Sequence, residues 1–193
     1  EKIRKLYKGL LPAGHTVIIS GKKADGFSST LFPDMVKMAK ASGKRVILDY
    51  RRDDLRASLP YSPEIIKPNI REFAATFFPG YEDIPDIAQS SIFRDIQEKM
   101  ISLWETYGII TILTNGSNPV LFVEKGKIST ITPPAITPLN TIGCGDAFSA
   151  GCAKEFTGSG NISLAVQKGI ECAVKNAMII RPGYIKDMEE RDE

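Results

Sequence analysis

Short apolar segments alternate with segments of helical periodicity along this chain, and that alternation constrains its fold most strongly. Four segments have strand length and are largely apolar: Thr16–Ser20, Arg45–Asp49, Glu64–Lys67 and Gly108–Thr114. Apolar residues recur at helical spacing in the stretches between them: Leu31–Ser42, Ile70–Phe78 and Ile87–Tyr107. Strands are apolar throughout when helices cover both faces of a parallel sheet. The sequence therefore predicts an α/β fold with a mostly parallel sheet and helices on both faces.

The later part of the chain continues with a hairpin and two helices. Val120–Glu124 and Lys127–Thr132 predict a hairpin about Lys125-Gly126. Asp146–Phe156 and Ser163–Ile180 predict the last helices. The length of 193 residues suits one sizeable domain, so we expect residues 1–193 to form a single α/β domain. Ligands of such folds gather outside the carboxyl ends of the strands, where functional residues are expected.

Composition excludes several classes of function. The formal net charge is +2, which gives no basis for binding nucleic acid or an acidic membrane surface. Short basic pairs, of which Arg51-Arg52 is one, are interpreted as solvated faces. No run approaches the roughly 18 apolar residues of a membrane span. The three cysteines are an odd number without metal spacing, which fits reduced thiols. We expect a cytoplasmic protein whose partner is a small molecule.

The most specific segment is NTIGCGDAFSAG, residues 140–151. Gly143 and Gly145 carry no Cβ, so backbone N–H groups can converge there. A helix N-terminus adds unpaired donors and a partial positive charge, which together predict an anion site. A carboxylate such as Asp146 fits there if it takes a proton from a hydroxyl that attacks a phosphate. A glycine-rich helix cap with a surface aspartate is the alternative interpretation.

This segment resembles the signature of the PfkB, or ribokinase-like, carbohydrate kinases, usually written D/N-T-x-G-A-G-D. The resemblance implies a ribokinase-like fold and ATP-dependent phosphorylation of a sugar or sugar phosphate. It implies that Asp146 is the general base and that the backbone of Gly143, Cys144 and Gly145 forms the anion hole. Asn140 resembles the phosphosugar branch, the 1-phosphofructokinases and tagatose-6-phosphate kinases, and is expected on the substrate side. Cys144 stands where the family usually has Ala or Ser; it is a space-filling residue or a reactive thiol.

A second match follows the third predicted strand. Lys67-Pro68-Asn69-Ile70-Arg71-Glu72 resembles the family segment K-P-N-x-x-E. The resemblance implies that Asn69 and Glu72 help to place phosphate and the Mg²⁺ shell, and an amide and a carboxylate one helical turn apart suit that ion. The alternative is an Asn N-cap with Glu at the third helical position, a capping-box start.

Partial matches concern the nucleotide. Thr114 and Gly116 match the family loop T-x-G-x-x-G, which implies contacts with ATP, but Pro119 replaces the second glycine. Proline has no N–H, so a backbone contact at that position would be lost. Asn176 falls where the family's last helix flanks the adenine, and it is our candidate nucleotide contact. A polar helix face is the alternative for Asn176.

The loop after the first predicted strand matches only at its ends. Ser20, Gly21 and Gly26 match the family loop S-G-S-L-P-P-G, whereas the middle differs. Lys22 or Lys23 is a candidate contact for a sugar phosphate, and exposure without a role is the alternative. Because the resemblance begins in mid-family, we expect a C-terminal portion without the lid-bearing part, whose full-length parent is a homodimer. A kinase for an unphosphorylated sugar or nucleoside, or a non-catalytic nucleotide-binding relative, is the competing hypothesis.

Overall fold

The computed structural model describes residues 2–81 and 87–184 of the chain. The chain divides into two compact units, Glu1–Ile131 and Thr132–Glu193. The first unit contains the β-sheet with its helices, and the second contains a pair of packed helices. The expectation that residues 1–193 form a single domain stays a prediction.

The first unit alternates helices and strands along the chain. Its helices are α1 (Lys2–Leu10), α2 (Leu31–Ala41), α3 (Arg52–Ser58), α4 (Ile70–Phe77) and α5 (Phe93–Tyr107). Its strands are β1 (Thr16–Ser20), β2 (Arg45–Asp49), β3 (Ile65–Ile66), β4 (Ile110–Asn115), β5 (Asn118–Glu124) and β6 (Lys127–Ile131). Short 3₁₀ turns stand at Leu11–Ala13, Leu59–Tyr61 and Ile87–Gln89.

Across the described residues, the strands form one sheet in the order β1-β2-β3-β4-β5-β6. The first four strands are parallel, and β5 and β6 are antiparallel to their neighbours. Ser20 is opposite Asp49 and Leu48 is opposite Ile66, so the carboxyl ends of β1, β2 and β3 lie at one edge. The predicted α/β fold with a mostly parallel sheet is confirmed.

The core of this unit fills the space between the sheet and its helices. Val46, Leu48 and Ile66 are fully buried on the strands, with Phe73 of α4 in the same apolar cluster. Helix α5 adds Ile96, Met100 and Leu103 at helical spacing. The apolar strands predicted from the sequence are therefore the buried centre of the sheet. No helix within the described ranges is long and apolar enough to cross a membrane.

Three helical assignments differ from the sequence prediction. The periodicity of Ile87–Tyr107 predicts one helix, but α5 begins only at Phe93. The Ser90 hydroxyl donates to the Ile87 carbonyl at 2.6 Å, and such local bonds compete with helix formation. Helices α1 and α3 are additional to the prediction. The sequence of α1 carries Ile3, Leu6 and Leu10 at helical spacing, a signal that was missed, whereas α3 has only seven residues.

The second unit is built from α6 (Cys144–Ser159) and α7 (Ile162–Ala177). These helices pack so closely that glycine is required at two crossing points. A Cβ at Gly151 would lie 2.6 Å from Cys172 Sγ and 2.8 Å from the Lys168 carbonyl oxygen. A Cβ at Gly169 would lie 2.9 Å from ring carbons of Phe148. The two glycines, one on each helix, therefore set the distance between α6 and α7.

The Thr111 hydroxyl is buried in β4 and has no hydrogen-bond partner in the described structure. We expect Thr111→Val to raise the free energy of unfolding by about 1 kcal/mol, because valine keeps the branched shape and removes the unpaired hydroxyl. Urea denaturation measures this change in the free energy of unfolding. Thr76→Val is the matched control: the buried Thr76 hydroxyl accepts from Arg52 N–H at 2.9 Å. That variant should lose about 1–2 kcal/mol; equal losses would show that Thr111 has a partner.

Two glycines of α6 test the close helix crossing. Gly151→Ala should lower stability by about 1–3 kcal/mol, because the Lys168 backbone cannot move away from the new Cβ. Gly158→Ala, where nothing lies within 4 Å, should raise stability by up to about 1 kcal/mol through helix propensity. Thermal unfolding followed by circular dichroism checks both. A rise in both variants would mean that α6 and α7 are further apart.

Candidate functional site

The carboxyl edge of the parallel strands brings together several predicted site residues of the first unit. Asn69 follows β3 and forms an isolated parallel bridge with Thr114 at the end of β4. Gly21 follows β1, and its N–H donates to the Asp49 carbonyl at 3.0 Å. The segments expected to bind metal, nucleotide and substrate therefore follow neighbouring strands at one edge.

A buried ion pair ties two of these strand ends together. Lys67 Nζ lies 3.0 Å from Asp49 Oδ2, with side-chain exposures of 4% and 13%. Because an unpaired buried charge is costly, this pair fixes the turn after β3 to the end of β2. Lys67 is the last residue of the predicted strand Glu64–Lys67 and the first residue of the K-P-N-x-x-E match. Its place between two isoleucines and a proline was the signal that it is buried.

Asn69 and Glu72 form a capping box at the start of α4. Asn69 Oδ1 accepts from Glu72 N–H at 2.8 Å, and Glu72 Oε2 accepts from Asn69 N–H at 3.1 Å. The capping interpretation is thereby confirmed. A carboxylate has about four acceptor positions, so the box leaves room for further partners of Glu72. The metal role of the two residues stays a prediction.

The donor set of the first unit fits Mg²⁺ bound together with phosphates. Among residues 2–81 and 87–184, no three His, Cys, Asp or Glu side chains are grouped as a metal site. Mg²⁺ usually needs only one or two carboxylates, because water and phosphate oxygens complete its shell. Glu72 supplies one partly exposed carboxylate, with the amide oxygen of Asn69 beside it. These two residues suit a water-mediated ion.

Arg51 lies beside Glu72, a predicted site residue. It is exposed, as expected of a solvated face, and its Nη1 lies 3.2 Å from Glu72 Oε1. The residues on either side of Arg51 are held in place. Arg52 has a positive φ of 62°, and its N–H donates to the Thr76 hydroxyl. Tyr50 is buried with its hydroxyl 2.7 Å from Ser58 Oγ, and this burial raises the pKa of Tyr50 above its usual range. The position of Arg51 directly after a buried strand was the available signal.

The loop after β1 separates the two candidate lysines. Lys23 Nζ donates to the Ser28 and Ser29 carbonyls and to Asp54 Oδ1, the last at 2.6 Å. Lys22 is exposed, so it is the lysine that a ligand can reach. The matching glycines of this loop, Gly21 and Gly26, both have positive φ values near 90°, which explains why they are glycine. Lys23 therefore holds the loop whose middle differs from the family.

Thr114 and Gly116 lie at a tight turn between antiparallel strands. Asn115 is opposite Asn118, and Gly116, with a φ of 59°, begins the two-residue connection between β4 and β5. Pro119 lies within β5 rather than in this turn. The replacement of the second family glycine therefore changes a strand position. ATP contacts by Thr114 and Gly116 stay a prediction.

The predicted anion hole is the N-terminus of α6. Gly143 is its N-cap with a φ of 75°, and a Cβ there would lie 3.5 Å from Pro182 Cβ. Cys144, Gly145 and Asp146 form the first turn, where N–H groups lack acceptors within the helix. The Cys144 N–H donates instead to the Thr141 carbonyl, at 3.4 Å. Asp146 and Gly145 are exposed, whereas Cys144 is partly buried. This geometry agrees with an anion site, and the base role of Asp146 stays a prediction.

Two asparagines hold that turn from within the second unit. Asn176 is fully buried; its Nδ2 donates to the Ile142 carbonyl at 2.8 Å, and its Oδ1 accepts from Gly183 N–H at 2.7 Å. Asn140 Oδ1 accepts from Ile142 N–H at 2.9 Å, and its Nδ2 donates to the Ile180 carbonyl at 3.1 Å. The interpretation of Asn176 as part of a polar helix face is wrong because it is buried. The nucleotide and substrate contacts of these residues stay predictions.

The chain belongs to the pfkB family of carbohydrate kinases, whose family model matches residues 8–178. Members of that family transfer a phosphoryl group to a carbohydrate. The matched family is the one whose signature the segment from Asn140 to Gly151 resembles.

Solved structures show the same fold. A mutant of phosphofructokinase-2 from Escherichia coli matches with a TM-score of 0.78 and 19% identity, over 93% of this chain and 57% of that one. A possible 1-phosphofructokinase from Thermotoga maritima matches with a TM-score of 0.77 and 21% identity, over 97% and 57%. Adenosine kinase from Anopheles gambiae matches with a TM-score of 0.66 and 21% identity, over 88% and 52%. The chain thus spans just over half the length of these proteins.

The buried amide of Asn176 offers a test of the anion turn. Asn176→Asp removes the donor to Ile142 and buries a charge, so it should cost roughly 2–4 kcal/mol. It should also speed amide hydrogen exchange at residues 143–146. Unfolding and exchange measurements check this. Asn161→Asp is the control, because Asn161 is the N-cap of α7 and aspartate caps helices equally well. Equal effects of the two variants would contradict the assignment.

Proposed function

We propose that this protein is an ATP-dependent kinase that phosphorylates a hydroxyl of a sugar phosphate, of the 1-phosphofructokinase or tagatose-6-phosphate kinase type. The observation that carries the proposal is the start of α6. There Gly143 caps a helix whose exposed first turn contains Asp146. The family membership supplies the reaction class, and this helix start supplies an anion site with a carboxylate in it.

Asp146 is the general base in this proposal. It takes the proton of the acceptor hydroxyl while that oxygen attacks the γ-phosphorus of ATP and ADP leaves. The backbone N–H groups of Gly143, Cys144 and Gly145 stabilise the oxygens of the transferring phosphoryl group. Phosphoryl transfer depends mainly on positioning and charge stabilisation, so the rigid turn held by Asn176 supports the role.

In this proposal, Asn69 and Glu72 would hold Mg²⁺, and Thr114 and Gly116 would contact the nucleotide. When bound, Mg²⁺ neutralises the charge of the ATP phosphates. The bridge between Asn69 and Thr114 supports the assignment, because it makes the metal and nucleotide segments neighbours. Asn176 is buried, so its role toward the nucleotide is indirect: its amide oxygen holds the segment at Gly183 in place.

A sugar phosphate is the proposed acceptor. Lys22 is exposed after β1 and provides a cation for the phosphate of the acceptor. Asn140 supports the same branch through its resemblance, and E. coli phosphofructokinase-2 has been solved in complex with fructose-6-phosphate. The adenosine kinase match favours a second candidate, a kinase for a nucleoside or unphosphorylated sugar. We further propose a homo-oligomeric, cytoplasmic protein; E. coli phosphofructokinase-2 has a tetrameric inhibited form.

Asp146→Asn should lower kcat by about 10²–10⁴-fold and leave the Kd of Mg-ATP within about twofold, because the variant loses only the base. A coupled assay of ADP release on the full-length protein measures this. The acceptors are fructose 1-phosphate, fructose 6-phosphate, tagatose 6-phosphate, fructose, ribose and adenosine. Glu155→Gln removes a charge from the same helix and serves as control.

The acceptor panel separates the candidate functions. Turnover on a phosphosugar that disappears in Asp146→Asn supports the proposal, whereas turnover on adenosine or ribose alone favours the second candidate. Equal kcat in Asp146→Asn and the unmodified protein contradicts the base assignment. Binding of Mg-ATP without turnover on any acceptor favours a non-catalytic relative.

A further inference from the structure

We propose that Arg51 is a phosphate-binding residue of this site, and that Glu72 holds its guanidinium while phosphate is absent. The inference rests on the proposed function, because it adds a residue to the same site. It concerns only the first unit, in which all of its observations lie.

The order of the strands places Arg51 at the centre of the site edge. It follows β2, which lies between β1 and β3. The proposed acceptor loop follows β1, and the proposed metal and nucleotide segments follow β3 and β4. A cation after β2 therefore stands between the proposed acceptor segment and the proposed metal and nucleotide segments.

The geometry of the ion pair with Glu72 allows Arg51 to exchange this partner for a phosphate. Nη1 of Arg51 makes one contact with Glu72, at 3.2 Å, and the arginine side chain is 53% exposed. A guanidinium has five N–H donors, so most of them stay available. A single, exposed ion pair contributes little to stability, whereas a phosphate offers more charge and accepts two parallel hydrogen bonds. A phosphate near Glu72 would therefore compete well for Arg51.

The backbone around Arg51 is held firmly although its side chain is not. The N–H of Arg52 donates to the Thr76 hydroxyl, and that hydroxyl donates to the Glu72 carbonyl at 2.6 Å. These bonds anchor the segment after β2 to helix α4, which carries Glu72. The guanidinium can change partner by rotating its own side chain while the backbone stays in place. Pre-positioning of this kind lowers the entropy cost of binding.

The cations around the site edge differ in what already holds them. Lys67 is buried against Asp49, and Lys23 is bonded to its own loop and to Asp54. Lys22 is exposed but belongs to the acceptor loop after β1. Arg51 combines exposure with a place against Glu72. Of these four cations, Arg51 is therefore the candidate for a phosphate that lies near Asn69 and Glu72.

Calorimetric titration with tripolyphosphate, in buffer free of divalent cations, tests the inference on the full chain. Arg51→Met should weaken binding by about tenfold or more, because a charge-assisted hydrogen bond is lost. Arg51→Lys should lose part of that affinity, since lysine keeps the charge without the fork. Lys37→Met removes an exposed charge from α2 and should change the Kd by less than about twofold.

Glu72→Gln supplies the sharper result, because it should act in the opposite direction. Without the competing carboxylate, Arg51 is available, and tripolyphosphate should bind several-fold more tightly. In the double variant Arg51→Met/Glu72→Gln this gain should disappear. A purely structural ion pair would show no such dependence of one substitution on the other.

The outcomes separate the inference from the proposed function. Unchanged binding by Arg51→Met, or a gain from Glu72→Gln that persists in the double variant, overturns the role of Arg51 and leaves the kinase proposal standing. An unmodified protein that binds neither tripolyphosphate nor Mg-ATP contradicts the nucleotide site itself, and both proposals fail. Thermal unfolding of each variant confirms folding, and Arg51→Lys gives the result if Arg51→Met is unfolded.

Discussion

The first unit depends on one constraint, the parallel pairing of its four successive strands β1, β2, β3 and β4. Because parallel strands run in one direction, their carboxyl ends and the loops that follow them meet at one edge. The buried pair of Lys67 with Asp49 then fixes the turn after β3 to the end of β2. Asn69 continues the ladder by one bridge to Thr114. Residues far apart in sequence thereby become neighbours.

Glu72 illustrates how one carboxylate can serve both the fold and the site. It caps α4 through the backbone of Asn69, and it receives the guanidinium of Arg51. The capping and metal interpretations of the sequence were posed as alternatives, yet the acceptor positions of a carboxylate accommodate both. Capping orients the side chain, and a fixed carboxylate is a better metal neighbour than a mobile one.

The second unit uses close packing and a buried amide to build its helix start. Gly151 and Gly169 let α6 and α7 approach until a Cβ would clash. Asn176, on α7, can then reach the carbonyl of Ile142 and hold the turn before α6. Cys144 fits beside this amide, with its Sγ 3.4 Å from Asn176 Nδ2, which agrees with a space-filling role. The turn before α6 is therefore held from the side of α7, while Gly145 and Asp146 are exposed.

The sequence by itself determined the α/β class, the succession of strands and hairpin along the chain, and the family motif at residues 140–151. Periodicity, glycine positions and local spacing are properties of neighbouring residues, so the sequence shows them directly. The prediction left out α1, although Ile3, Leu6 and Leu10 stand at helical spacing, and it also left out the seven-residue helix α3 and the break before α5. Tertiary structure alone decided that Lys67 pairs with Asp49, that Lys23 rather than Lys22 is engaged, and that Asn176 lies inside. It also placed Arg51 on Glu72. Each of these outcomes depends on a partner distant in sequence, and only the packed fold brings such partners within reach.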